Sequence, residues 1–201
     1  MLAHGCCGKT RDDLMHKAVT LRGCVHGRFQ PPHLEHLEYI QEALKRTEFL
    51  TIGITQPNSV RLDECNADPH RAWPSENPMT YDERCDCIQA MLAAQGVDQD
   101  RYEFIPFPID RPVDLLAALD SDVVCFTTIR DHWNLKKISI LESLGFSVEV
   151  LWDKLNVKGI SGTEIRQRIR FGDDTWRSDV HPAVVDRLEA LGVVARIRAG
   201  A

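Results

Sequence analysis

Short apolar runs alternate with longer segments of helical spacing along most of this chain, and that alternation leaves few folds open to it. Residues 19–26 (VTLRGCVH), 49–55 (FLTIGIT), 102–109 (YEFIPFPI), 122–127 (DVVCFT) and 146–151 (FSVEVL) have the length and apolar content of buried strands. Helices are predicted over 33–46, 80–95, 113–119, 133–144, 161–171 and 182–191. The first places Leu34, Leu37, Ile40, Ala43 and Leu44 on one stripe; the second opens on Thr80 with Glu83 at the capping-box position. Strands that are apolar throughout are covered on both faces. The expectation is an α/β fold, a doubly wound parallel sheet of about five strands with C-terminal helices. In such sheets ligands bind beyond the carboxyl ends of the strands, where the strand order reverses.

The charge balance narrows the partners. A formal net charge of -6 and no run of Lys or Arg argue against nucleic acid, while leaving room for a local basic pocket that takes a small anion. No apolar run approaches the roughly 20 residues that span a bilayer, so no membrane segment is expected. Residues 1–18 lack pattern and lack the apolar stretch of a signal peptide; they read as a mobile tail on a single domain over 19–201, in a cytoplasmic protein. The 7 cysteines, odd in number and scattered, read as free thiols, with Cys85 and Cys87 on a helix. Residues 56–79 form a long segment rich in Pro, Asn, Asp and Ser.

Chemistry is expected where the first strand ends, at residues 27–36 (GRFQPPHLEH). A helix N-terminus presents free N–H groups and the positive end of its dipole. His33 and His36, three apart, share a face there. Imidazoles so placed can hydrogen-bond phosphate oxygens and, if protonated, neutralise charge developing at an attacked phosphorus; Arg28 adds a forked donor. A second motif, residues 160–166 (ISGTEIR), repeats the design: Ser161 or Thr163 can cap a helix while Arg166 reaches from its first turn. Two helix N-termini aimed at one place would grip a triphosphate from both ends. Each motif alone has a plainer reading. The histidines can be solvated, or can bind a metal together with Glu35, although HLEH is not the HExxH of zinc hydrolases. Ser-Gly-Thr-Glu alone is a helix start.

Together the motifs resemble the nucleotidylyltransferase superfamily. GRFQPPHLEH is similar to GRFQPxHxGH and ISGTEIR to ISxTxxR, with the strongest likeness to archaeal-type nicotinamide mononucleotide (NMN) adenylyltransferases. Residues 77–84 (NPMTYDER) are similar to that family's NPFTxxER, and GTEIRQRIRFGDDTW with HPAVVDRLEALG to its closing helices. The likeness runs from about residue 19 to 198, with 59–76 as an inserted loop. It implies a Rossmann-like fold and transfer of NMP from an NTP to a phosphate-bearing acceptor, with release of pyrophosphate and help from Mg²⁺. By position it implies catalytic roles for His33, His36 and Arg166, and nucleotide contacts from Arg28, Phe29, Gln30, Ser161, Thr163 and Arg166. Oligomers are common in the family; the state of this chain stays open.

Two departures bear on the substrate. Glu35 replaces the motif glycine, and can turn outward, hold Mg²⁺ or a basic group of the substrate, or spoil the site. The acceptor side has lost the family's aromatic after the third strand, and the turn after the fourth reads TTIRDHW (127–133). Arg111, Arg130 and His132 suit a small anionic acceptor; Trp133 can supply a stacking face or belong to the core. The leading expectation is therefore CTP or ATP as donor and a small phosphate or phosphonate as acceptor. The alternatives are NMN adenylyl transfer and a silent nucleotide-binding protein with Glu35 as the lesion.

Overall fold

The computed structural model describes residues 19–58, 73–155 and 157–200. The expected tail, 1–18, and residues 59–72 of the expected insertion lie outside the described residues.

Five strands form one sheet: β1 (Thr20–Gly27), β2 (Thr47–Ile54), β3 (Tyr102–Pro106), β4 (Val124–Ile129) and β5 (Ser147–Asp153). All pairings are parallel and the order is β3-β2-β1-β4-β5. The chain thus winds outward one way from β1, returns, and winds the other way, so the order reverses between β1 and β4. The helices are α1 (Leu34–Leu44), α2 (Tyr81–Ala94), α3 (Pro112–Ala118), α4 (His132–Ser143), α5 (Gly162–Phe171), α6 (Pro182–Ala190) and α7 (Val193–Arg198). The last of these, and short 3-10 turns at Pro74–Glu76, Gln99–Arg101 and Asp174–Asp179, fall below what apolar spacing reveals.

Side chains alternate across each strand, and the two faces have separate cores. Val25, Leu50, Ile52, Ile54 and Phe126 pack with Leu37 and Ile40 of α1, Ile88 and Met91 of α2, and Ile165, Val184 and Ile197 of α5, α6 and α7. Cys24, Cys125 and Phe107 face the other way, onto Leu115 of α3 and Leu141 of α4. The sheet is doubly wound, as expected. Cys24, Cys85, Cys87 and Cys125 are free thiols. No helix among the described residues is long and apolar enough to cross a membrane.

Arg84 on α2 is wholly buried and holds the loop that follows β1. Its guanidinium donates to the carbonyls of Thr80 (3.0 Å), Arg28 (2.9 Å), Thr55 (2.7 Å) and Gln56 (2.8 Å). The forked geometry of arginine can serve four acceptors at once, where an ammonium could not. Gln30 is clasped from the other side. Its amide donates to Met79 O at 2.9 Å and accepts from Met79 N at 3.0 Å.

Candidate active site

The two sequence motifs meet at the point where the strand order reverses. A cleft of about 340 Å³ opens there, lined by Arg28, His33 and His36 from the β1–α1 loop and helix, and by Ser161, Gly162, Thr163 and Arg166 from α5. The loop and α5 touch directly: a Cβ at Gly162 would lie 2.9 Å from the Gln30 carbonyl oxygen, so the second motif needs a residue without a side chain there. Arg166 Nη1 donates to that same carbonyl.

His33 is the N-cap of α1 and His36 occupies its third position. Their rings stack with centroids 3.6 Å apart, and Phe29, held at φ 52, lies edge-on to His36 at 4.8 Å. The backbone N–H of His33 donates to His36 Nδ1 at 3.2 Å. A neutral His36 therefore carries its proton on Nε2, as a donor. Burial favours the neutral form of both rings. Burial, then the nearby Arg130, pushes His33 down to about 3. Burial lowers His36 strongly as well, followed by His33, Arg130, Lys137 and Arg28. Imidazolium charge in this pair is disfavoured by burial and by the neighbouring cations, and Nδ1 of His33 is buried with no hydrogen-bond partner.

The expected nucleotide set divides by atom. Ser161 caps α5, accepting from Glu164 N at 3.5 Å. Phe29 is fully buried and the Gln30 amide is spent on Met79, so both shape the loop, and what they turn to the cleft is backbone. Arg166 is 1% exposed. Its Nη2 is bonded to the Glu76 carboxylate and to Thr163 Oγ1 at 3.0 Å. Thr163 Oγ1 in turn donates to Glu76 at 3.1 Å. Burial pulls the Arg166 pKa down, and the Glu76 carboxylate opposes that fall.

The expected acceptor set does not stay together. Arg130 lines the main cleft. Trp133 belongs to an adjoining slot of about 30 Å³, over the ends of β1, β2 and β3, with Arg28, Gln56, Asp110 and Lys137. Arg111 is exposed, paired with Asp114 at 2.8 Å, and His132 is exposed at the first position of α4; neither lines the cleft or the slot.

Glu35 does not turn outward. Its Oε2 lies 2.8 Å from Arg130 Nη2, so it holds a basic group of the protein itself. Among the described residues no three His, Cys, Asp or Glu side chains are placed to hold a metal ion.

Comparison with known proteins fixes the family. The family described as cytidylyltransferase-like matches residues 24–168. This chain belongs to it. The cytidylyltransferase-like chain is 37% identical over 177 residues to a phosphonoformate cytidylyltransferase of Streptomyces viridochromogenes, covering 88% of this chain and 95% of that one. It is 26% identical to a nicotinamide-nucleotide adenylyltransferase of Pyrobaculum aerophilum, over 90% of this chain and 94% of that one. Its fold is that of a bifunctional NMN adenylyltransferase/ADP ribose pyrophosphatase from Francisella tularensis, with TM-score 0.60 and 16% identity over 90% of this chain. The chain spans about half of that longer protein, 52% of it. The protein is a nucleotidylyltransferase.

Four contributors to the site escaped sequence reasoning. Lys137 lines both cavities from the second turn of α4, and nothing in its spacing marks it. Glu76 was placed in the insertion, though it directly precedes the recognisable NPMT segment. Arg84 stood within NPMTYDER with no sign of its four carbonyl partners. Gly159 is needed for a close approach, which a sequence does not display.

Proposed function

We propose that the enzyme transfers a cytidylyl group from CTP to a small phosphonate or phosphate, releasing pyrophosphate. The observation that carries this reading is the inequality of the two cavities. The cleft between the helix N-termini is about 340 Å³, whereas the adjoining slot is about 30 Å³. A slot of that size between Arg28 and Lys137 suits a compact anion better than a mononucleotide. The likeness to a phosphonoformate cytidylyltransferase supports both the cytosine base and the phosphonate.

In the proposed reaction an acceptor oxygen attacks the α-phosphorus from the slot. A new P–O bond forms, the bond to the bridging oxygen breaks, and its electron pair leaves on pyrophosphate. His36 Nε2–H, His33, the open N–H groups of α1 and α5, and Arg28 would donate to the oxygens on which charge accumulates. Donors that stay uncharged until phosphate arrives do not attract a protein carboxylate in its place. Arg166 and Thr163 would meet the outer phosphates once Glu76 yields. Among the described residues no three acidic, histidine or cysteine side chains converge to hold an ion, and Glu35 is engaged by Arg130. Magnesium would then come with the nucleotide, as part of the substrate, and neutralise its phosphates.

Adenylyl transfer to NMN is the second reading. It is favoured by the Pyrobaculum relative and by the indole of Trp133, which offers the slot an aromatic wall. Pyrophosphate release separates the two. CTP with phosphonoformate should turn over and ATP with NMN should not. Turnover confined to ATP and NMN would reverse the assignment.

A further inference from the structure

Two departures from the family's motifs meet in space. Glu35 stands where the first motif has glycine, and Arg130 stands in the altered turn after β4. Their side chains, 20% and 27% exposed, form an ion pair on the wall of the cleft. A third position answers to both. A Cβ at Gly159 would lie 2.1 Å from Arg130 Nη1 and 2.6 Å from Glu35 Oε1, so the pair packs against bare backbone. Three chain segments are thus fitted to one another at a place where the motif asks for no side chain.

The position of the pair indicates its use. Thr128 of β4 pairs with Trp152 of β5, and Lys154 N donates to Ile129 O at 2.8 Å, so the ends of these strands adjoin Arg130. Gly159 is followed by Ile160, which also lines the cleft. This end therefore has an indole and an aliphatic side chain in its wall, with Lys154 Nζ 5.4 Å from the centre of the Trp152 ring. Arg28 and Lys137 mark the other end, where the slot opens. The small slot beside Arg28 and Lys137 suits a compact anion; a flat base suits the wider end with Trp152 and Ile160.

At that end the carboxylate accepts and the guanidinium donates, side by side. Cytosine and adenine present the complement: an exocyclic amino donor next to a ring-nitrogen acceptor. Uracil and guanine put a carbonyl oxygen in place of the amino group, and so set oxygen against carboxylate.

We propose that the Glu35–Arg130 pair reads the donor base, admitting amino-bearing C and A and rejecting oxo-bearing U and G. The inference rests on the nucleotidylyl-transfer reading of the cleft, and is independent of the acceptor. It is tested by equilibrium binding of CTP, ATP, UTP and GTP to the full chain without acceptor, so that no turnover occurs. The wild type should prefer CTP to UTP by about 10- to 100-fold. Glu35→Gln, whose amide can turn a donor toward a carbonyl oxygen, should bring that ratio close to one. Glu35→Gly, which restores the motif residue, should weaken CTP and leave UTP unchanged. Thermal melting confirms that both variants are folded. Equal binding of CTP and UTP by the wild type, or an unchanged ratio in the folded variants, would overturn the proposal. Binding of no nucleotide would overturn it together with the donor site. Base selection that responds to Glu35, with no pyrophosphate released for any acceptor, would sustain it while removing the phosphonate reading.

Discussion

The carboxylate of Glu76 is bonded to the guanidinium of Arg166, 90 residues further along the chain. It also accepts from Thr163. A negative group of the protein thus sits on the donors that the α5 end would offer to a phosphate. Glu76→Gln should lower the KM for the nucleotide on the order of tenfold, since a charged competitor for those donors is gone. Because Arg166 is buried, the same change should reduce folding stability by about 1–3 kcal/mol. Steady-state pyrophosphate release and thermal melting check the two effects. A raised KM would mean that Glu76 orients Arg166 rather than competing for it.

His36→Ala should cut kcat by about 10²- to 10³-fold, the range for loss of one preorganised donor. The ring is stacked on His33 and accepts from its backbone N–H, so the melting temperature should fall as well, while the variant stays folded. Single-turnover measurements with pre-bound nucleotide would separate a chemical defect from a binding one.

Acid should destabilise the fold earlier than carboxylates alone would dictate. His33 in the folded chain is held at about 3, whereas in the unfolded chain it titrates near 6.5. Between those values the unfolded state binds the extra proton, so stability falls as pH drops through the window. His26, fully buried and stacked on Phe107, and His36 act in the same direction. His33→Gln should remove up to about 1.4 kcal/mol per pH unit of this loss. Urea denaturation at pH 7 and pH 5 measures it.

Arg84→Lys should cost about 3 kcal/mol, because a single ammonium cannot replace the bonds to four carbonyls. Activity should be lost with the shape of the β1–α1 loop, even where the variant is still folded. Denaturant titration alongside an activity assay tests this.

Gly159→Ala should act locally. The atoms it would strike are the ends of two flexible side chains, Arg130 and Glu35. The ion pair should part with little loss of melting temperature, and discrimination between CTP and UTP should weaken with it. Binding of the two nucleotides to the folded variant is the measurement.

The sequence carried the fold well because each strand–helix unit states its own periodicity. Leu37 and Ile40 announce the buried stripe of α1, and Thr80 with Glu83 announces the start of α2. The cleft was legible for the same reason, since both motifs begin helices at strand ends. What stayed hidden depends on partners remote in sequence. The pairing of Glu35 with Arg130 spans β1 to β4, and neither residue names the other. Arg111 and His132 were reasonable cations for an anionic acceptor, yet a turn of chain either side of the cleft decides whether a side chain enters it. The charge on the histidines stayed open because burial, which bears on it, is a property of the assembled site.

The Gln30–Met79 clasp and the fan of bonds from Arg84 have a mechanical consequence. The backbone is pinned at Gln56 by Arg84 and at Met79 by Gln30, and Arg84 also holds Arg28, in the same short loop after β1 as Gln30. The two ends of the intervening stretch are thus anchored to a common post, independently of how much chain runs between them. A shift of the chain at either anchor therefore meets buried arginine and glutamine bonds before it reaches the strand ends, which keeps the catalytic framework in register.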